Sequence, residues 1–245
     1  MHNYRERAYE RYSAHSIVDF SRFARSYDRR LTQVLQPMAV WTCLDVACGY
    51  GNFLAYLRAV GIAAFIGIDT SETAVQVAQK EFGTERAQRI DALEFLASRQ
   101  SAFDFISALD FIEHVSKAEL YQVLDSIWRA LRPGGLFLIR VPNANGLFGM
   151  ASRYNDITHE LCFTPGSITD LLQDQRASFD VVRIWEDQGR PETVAQFFHW
   201  GIWNLVRFCI RCVDASETGM WGDGVLTRNM WVLARKPLVS RPPTR

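Results

Sequence analysis

The chain has 245 residues, 48% of them hydrophobic, so it is long enough to bury a full core as one domain with a modest appendage. Basic and acidic residues number 27 each, and this balance gives no global field that would favour nucleic acid or an anionic membrane as a partner. The five cysteines are an odd number, and the first residues lack the apolar core of a signal peptide. We therefore expect a reducing, cytoplasmic environment.

Strand and helix patterns alternate along the chain. Apolar runs predict strands at 41–47, 63–68, 87–90, 103–109, 136–141, 179–186 and 225–235. Helical periodicity predicts helices at 4–13, 16–35, 52–60, 71–82, 92–98, 117–131, 166–174 and 193–212. Repeats of this length imply an α/β fold, with parallel strands, right-handed crossovers and helices on both faces of the sheet.

The predicted organisation is one core with additions. Its segments are an N-terminal helical cap at 1–36, an α/β core at 37–187, an aromatic helical insertion at 188–224, a final core strand at 225–236 and a disordered tail at 237–245. The helix at 193–212 is apolar over roughly 15 residues, too short to cross a bilayer. It is expected to cover the acceptor pocket, to form a homodimer interface or to make peripheral membrane contact. Its Cys209-x-x-Cys212 pair has no second cysteine pair and no suitably spaced His, so two buried thiols are expected rather than a metal or redox site.

A strand, a glycine turn and a helix stand at positions 41–60. Gly49 and Gly51 make the turn, because a side chain there would hold a ligand away from the backbone. The next strand ends at Asp69, whose carboxylate can accept both hydroxyls of a ribose. This arrangement predicts a cradle for a nucleotide-like ligand.

The identity of the ligand is indicated by how this segment differs from a dinucleotide-binding turn. A dinucleotide fingerprint requires a third glycine at position 54, which is Leu here. Asp45 before the turn suits a cationic group better than a phosphate. S-adenosylmethionine (SAM) carries a sulfonium, an amino group and a ribose, and no phosphate, so it fits this pattern.

At these residues the chain resembles the class I SAM-dependent methyltransferases, and the resemblance continues in order over about 40–145. It includes the segment after the fourth strand and the turn Arg132-Pro133-Gly134-Gly135. It implies a Rossmann-like, seven-stranded, mostly parallel sheet with the last strand antiparallel. The residues it implies for the cofactor are Asp45, Gly49, Gly51, Asp69, Thr70, Asp91, Ala92, Leu109 and Asp110. Asp91 could equally be a helix N-cap, and Glu113 and His114 could equally be first-turn helix residues.

The acceptor side is expected in the long loop at 142–165, since loops of this length in compact domains are usually functional. Thr158-His159, running into Phe163-Thr164, resembles a segment of small-molecule and glycan O-methyltransferases, including those of ubiquinone biosynthesis. An alcohol is a weak nucleophile, so such an enzyme gains from a base that works near neutral pH. His159 is the first candidate.

The other candidates for base or orienting partner follow the fourth strand or flank His159. They are Asp110, Glu113, His114 and Glu160. The alternative for His159 itself is that it positions substrate or anchors its own loop by hydrogen bonds.

The function expected is SAM-dependent methylation of a sugar, glycan or other small hydroxylated metabolite. No metal site is expected, and no basic stripe with aromatics points to nucleic acid. One rival is an NAD(P)-dependent oxidoreductase or epimerase, which Leu54 and the lack of a Tyr-x-x-x-Lys pair disfavour. The other is a non-catalytic SAM-binding interaction module.

Overall fold

A computed structural model describes residues 19–32, 39–173, 178–222 and 224–238. The helices are α1 Phe20–Leu31, α2 Asn52–Ala59, α3 Glu72–Phe82, α4 Ala92–Leu96, α5 Lys117–Ala130, α6 Gly149–Asn155, α7 Pro165–Gln173 and α8 Val194–Thr218. The strands are β1 Thr42–Val46, β2 Ala64–Asp69, β3 Ala87–Arg89, β4 Phe103–Leu109, β5 Leu131–Pro142, β6 Asp180–Glu186 and β7 Asn229–Arg235. The predicted helix at 4–13, parts of the cap and most of the predicted tail lie outside the described residues.

The strands form one seven-stranded sheet in the order β3-β2-β1-β4-β5-β7-β6. Strands β1 to β5 pair in parallel, and β7 pairs antiparallel with both β5 and β6. Buried side chains form two apolar clusters, as expected for a sheet with both faces covered. The predicted fold class, including the antiparallel last strand, is confirmed.

Local signals set several element ends as predicted. Ser71 caps α3 by accepting a hydrogen bond from the Ala74 amide at 3.2 Å. Thr164 does the same for α7, accepting from Ser167 N at 3.1 Å. In parallel sheets of this kind, ligands bind beyond the carboxyl ends of the strands. The site is therefore expected beyond the carboxyl ends of the strands.

Several elements differ from the sequence prediction, among them β5, which begins at Leu131 rather than at 136. The loop at 142–165 contains the short helix α6, and β7 begins at Asn229 rather than at 225. Helix α8 continues to Thr218, beyond the predicted end at 212. Its ends follow capping signals rather than the end of the apolar run: a capping box at Thr193 and Gln196, and Gly219 with a left-handed φ of 71°.

Helix α8 also differs in its environment. None of its residues is buried, and large apolar side chains such as Phe198 and Leu205 are more than half exposed. The expectation of two buried thiols was wrong, because Cys209 and Cys212 are both exposed. Within the described part of the chain, no helix combines the length and apolarity needed to cross a bilayer. The homodimer and membrane roles of this helix stay predictions.

Candidate functional site

A cavity of about 580 Å³ opens where β1, β2 and β4 end. The predicted site residues that line it are Gly49, Asp69, Thr70, Asp91, Ala92, Leu109, Asp110 and His114. The other four predicted residues are described by the structure but do not line the cavity: Asp45, Gly51, Glu113 and His159. The carboxyl ends of the strands therefore gather most of the predicted set around one hollow.

The glycine turn is fixed to the second acid. Gly49 has φ 53° and donates its amide to Asp69 Oδ2 at 2.9 Å. Asp69 Oδ1 accepts from the Ser71 amide at 2.8 Å. Position 51 requires glycine for two reasons. Its φ is 86°, and a Cβ there would stand 2.7 Å from the Phe82 ring.

Asp45 lies behind the cavity wall. It is 2% exposed, stands opposite Ser107 of β4 in the sheet, and accepts a hydrogen bond from Ser107 Oγ at 2.7 Å. Burial raises its pKa to about 7, with the charge of Asp69 adding to the rise and the Ser107 hydrogen bond opposing it. Asp45 is not among the residues that line the cavity, so its expected contact with a cationic ligand stays a prediction.

Asp91 is the N-cap of α4 and also lies at the cavity, so the adenine contact stays a prediction. Its Oδ1 accepts from Leu93 N at 2.8 Å and from Glu94 N at 3.3 Å, which caps α4. The residue also lines the cavity beside Ala92. A cap and a ligand contact are compatible, because a carboxylate has two oxygens.

Helix α1 supplies cavity residues that were not among the predicted site residues. Phe23, Tyr27 and Arg30 line the cavity from one face of this helix. Burial raises the pKa of Tyr27 to about 12. Their spacing of three and four residues is readable in the sequence, but the surface that this face covers is not.

Arg140 of β5 is a further lining residue that sequence reasoning missed. Its Nε is 2.9 Å from Asp110 Oδ1, its Nη2 pairs with Asp110 Oδ2, and its Nη1 is 4.0 Å from Asp187 Oδ2. Burial alone would lower the pKa of Arg140, but the charge and hydrogen bonds of Asp110 hold it above its usual value. Asp110 is thus occupied by a permanent cation and is less available as a base.

Three of the proposed catalytic groups meet at one edge of the cavity. The rings of His114 and His159 lie 4.5 Å apart between centroids, and only His114 reaches the lining. The Glu113 carbonyl accepts the amides of Glu160 at 2.7 Å and Leu161 at 3.0 Å. This backbone link ties the loop that carries His159 to the turn after β4.

Thr158 and Asp156 orient His114. The Thr158 hydroxyl lies 2.9 Å from His114 Nδ1 and donates to Asp156 Oδ1 at 2.8 Å. Although partial burial acts to raise it, the pKa of Asp156 is lowered, because the amide and hydroxyl of Thr158 hydrogen-bond to its carboxylate. Both residues line the cavity, and neither was on the list of predicted site residues.

The same edge holds groups that could share a metal ion. The ligand atoms of Glu113, His114 and His159 all lie within 4.8 Å of one another. The sequence shows no metal motif, since Glu113 and His159 stand on different segments, which the backbone hydrogen bonds of Glu113 join.

Comparison with known proteins places these observations in a family. The model described as "Methyltransferase domain" matches residues 9–198. A ubiquinone biosynthesis O-methyltransferase of Chelativorans sp. (strain BNC1) is 31% identical over 111 residues, which are 44% of this chain and 43% of that protein. A second, from Bartonella bacilliformis, is 30% identical over 112 residues and 44% of its length. The chain thus spans less than half the length of these curated relatives.

Solved structures share the fold. A SAM-dependent methyltransferase of Archaeoglobus fulgidus aligns with a TM-score of 0.64 at 20% identity, over 88% of this chain and 94% of that one. A SAM-dependent methyltransferase of Mesorhizobium loti aligns with a TM-score of 0.57 at 18% identity, over 86% and 97% of the two chains.

Proposed function

The chain belongs to the methyltransferase domain family, as a class I SAM-dependent methyltransferase, and we propose that it methylates a hydroxyl group of a small acceptor such as a sugar or glycan. The likeness to ubiquinone biosynthesis O-methyltransferases supports oxygen as the methylated atom. The carbohydrate part of the proposal comes from the Thr158-His159 segment of the sequence.

The residues around the main cavity fit SAM. Asn52 lines the cavity, and its Oδ1 is buried with no hydrogen-bond partner among the residues described, so it is an acceptor ready for a ligand donor. Asp69 is held by the Gly49 and Ser71 amides at the end of β2, where a ribose is expected. Asp91 and Ala92 lie on the adjoining wall, in place for the adenine. When bound, SAM supplies an electrophilic methyl group on its sulfonium.

One observation carries the proposed chemistry: the Nδ1 atom of a histidine in the cavity wall is held by the loop that follows β5. His114 Nδ1 is engaged by the Thr158 hydroxyl and by the Thr158 carbonyl at 3.2 Å. With Nδ1 donating to these oxygens, Nε2 is the basic nitrogen. It can accept the proton of an acceptor hydroxyl as that oxygen bonds to the methyl carbon and the methyl–sulfur bond breaks.

His159 takes a supporting part in this arrangement. Its Nδ1 lies 3.0 Å from the Ser152 carbonyl, and its ring packs edge to face on His114. We therefore move the base from His159, the first choice from the sequence, to His114, and assign His159 to positioning. The remaining task of the site is to hold the acceptor oxygen and the methyl group in line.

The test is methyl transfer from labelled SAM to a panel of hydroxylated acceptors, with amines as the competing class. We expect O-methylated products, and His114→Gln to lower kcat by about 10²-fold or more while SAM affinity stays near that of the wild type. His159→Gln should lower kcat by a smaller factor than His114→Gln. Full turnover of His114→Gln would remove the proposed base, and products methylated only on nitrogen would contradict O-methylation.

Calorimetry with SAM and with NAD tests the cofactor separately. Binding of SAM without response to NAD is expected, since Leu54 is fully buried where a dinucleotide turn would need glycine. Tight binding of NAD without binding of SAM would support the alternative function, an NAD(P)-dependent oxidoreductase or epimerase.

A further inference from the structure

A second cavity, of about 310 Å³, lies outside the one assigned to SAM. Its walls come from the segment before α6, the connection that follows β6, helix α8 and the start of β7. The side chains that bear on its chemistry are Phe148, Asp187, Gln188, Trp203, Arg228 and Asn229. It therefore combines aromatic surface with polar groups, as small-molecule sites commonly do.

The linings of the two cavities are connected through the ionic contacts of Asp187. Asp187 lines the second cavity, and its Oδ1 is 2.7 Å from Arg30 Nε. Its Oδ2 is 4.0 Å from Arg140 Nη1. Arg30 and Arg140 both line the first cavity. A molecule in the second cavity is thus next to the wall of the first.

The charge left over in the second cavity is positive. The carboxylate of Asp187 is neutralised by its two arginine partners and also accepts from Trp231 Nε1 at 2.7 Å. Arg228 has no acidic partner among the residues described, and its guanidinium stands 5.7 Å from the centre of the Phe148 ring. An exposed, unpaired guanidinium at a cavity favours a carboxylate or phosphate, which it can bind through two hydrogen bonds.

A buried donor points to the same conclusion. Trp203, from α8, lines the cavity, and its Nε1 is buried without a hydrogen-bond partner in the described ranges. A buried N–H left unsatisfied is costly, and a ligand oxygen would satisfy it. Asn229 uses its Oδ1 to accept from Ser152 Oγ at 2.8 Å, which leaves its amide N–H groups as donors.

We propose that the second cavity binds the anionic part of the acceptor, a carboxylate or phosphate carried on a hydroxylated ring. Arg228 pairs with the negative charge, Trp203 Nε1 donates to an oxygen, and the exposed Phe148 ring packs on the apolar face of the acceptor ring. The proposal rests on the proposed methyl transfer and specifies its substrate class. It also gives helix α8 a role in recognition through Trp203.

The experiment measures binding of three probes to the full chain saturated with S-adenosylhomocysteine: glucose, glucuronate and glucose 1-phosphate. We expect at least one anionic probe to bind about tenfold or more tightly than glucose, and salt to weaken this preference. Comparison of glucuronate with the phosphate separates the two sources of charge. Failure of both anionic probes to bind better than glucose, including no binding at all, overturns the proposal.

Two variants and a matched control locate the effect. Arg228→Gln should abolish the preference for the anionic probe, and Trp203→Phe, which keeps a ring but removes the N–H, should weaken binding by about three- to tenfold. Arg183→Gln removes an exposed arginine of β6 that lines neither cavity, and should leave binding unchanged. An unchanged preference in Arg228→Gln overturns the assignment. If the wild-type chain does not bind S-adenosylhomocysteine, that result counts against the proposed function instead.

Discussion

The imidazole rings of His114 and His159 meet edge to face with centroids 4.5 Å apart, although one follows β4 and the other lies beyond β5. The two histidines have different positions relative to the cavity. His114 lies in the cavity wall, and His159 supports it from behind while bound to the Ser152 carbonyl. The orientation of His114 then depends on Thr158, and this dependence can be measured.

Thr158→Val should lower kcat by about tenfold, because it removes the hydroxyl that links His114 Nδ1 to Asp156 while keeping a side chain of similar shape. Steady-state kinetics and calorimetry with SAM provide the measurement. Thr158→Ser restores the hydroxyl and should recover most of kcat. A Thr158→Val variant that loses SAM affinity but keeps kcat would show that this threonine serves the cofactor instead.

Gly51→Ala should destabilise the protein more than Gly61→Ala. Both glycines have left-handed φ, 86° and 84°, so both substitutions carry similar backbone strain. A Cβ at Gly51 would stand 2.7 Å from Phe82, whereas nothing lies within 4 Å of one at Gly61. We expect an extra loss of about 1–3 kcal/mol in urea unfolding for Gly51→Ala, together with weaker SAM binding. Equal losses would mean that Phe82 moves aside freely.

Stability should fall as the pH rises between about 4 and 7, partly because of Asp45. Its pKa is about 7 in the folded protein and near 3.8 otherwise, so in this window the folded state keeps a proton that the unfolded chain loses. Below the window both states are protonated, and above it both are ionised, so the loss is complete above pH 7. Burial is the main cause, which the hydrogen bond from Ser107 only partly offsets.

Asp45→Asn should therefore flatten the fall in stability measured by urea unfolding from pH 4.5 to pH 8, by an amount on the order of 2–4 kcal/mol. Asp125→Asn, on the exposed face of α5, is a suitable control, and its pH profile should follow the wild type. An Asp45→Asn profile as steep as that of the wild type would assign the pH dependence to other groups.

The thiols should separate into fast and slow classes. Cys209 and Cys212 are exposed on α8 and should react with a disulfide reagent within the first phase. Cys43 and Cys48 are buried, and burial raises the pKa of Cys43 to about 12 and that of Cys48 well above its usual value. Thiol titration with mass mapping identifies the labelled sites. Protection of Cys209 and Cys212 in the native protein would indicate that α8 is covered in solution.

The sequence predicted most of the framework because its signals are local. Strand and helix periodicity, the glycine turn at Gly49 and the cap at Ser71 each depend on neighbouring residues, and the structure has them where they were expected. The errors occurred where a local signal was incomplete. The apolar run of α8 ended before its helix did, and β7 starts only where Asn229 pairs with Pro142 of β5.

The sequence by itself determined the order of the elements and placed the acids, glycines and histidine after the strands, since strand direction alone brings those ends to one edge. Tertiary structure decided which of these residues reach the cavity. It left Asp45 out of the cavity lining, placed His114 rather than His159 in the wall, and brought Arg30, Arg140 and Asp187 together. Such contacts join segments distant in the chain, and only the packing of the whole fold sets their distances and burial.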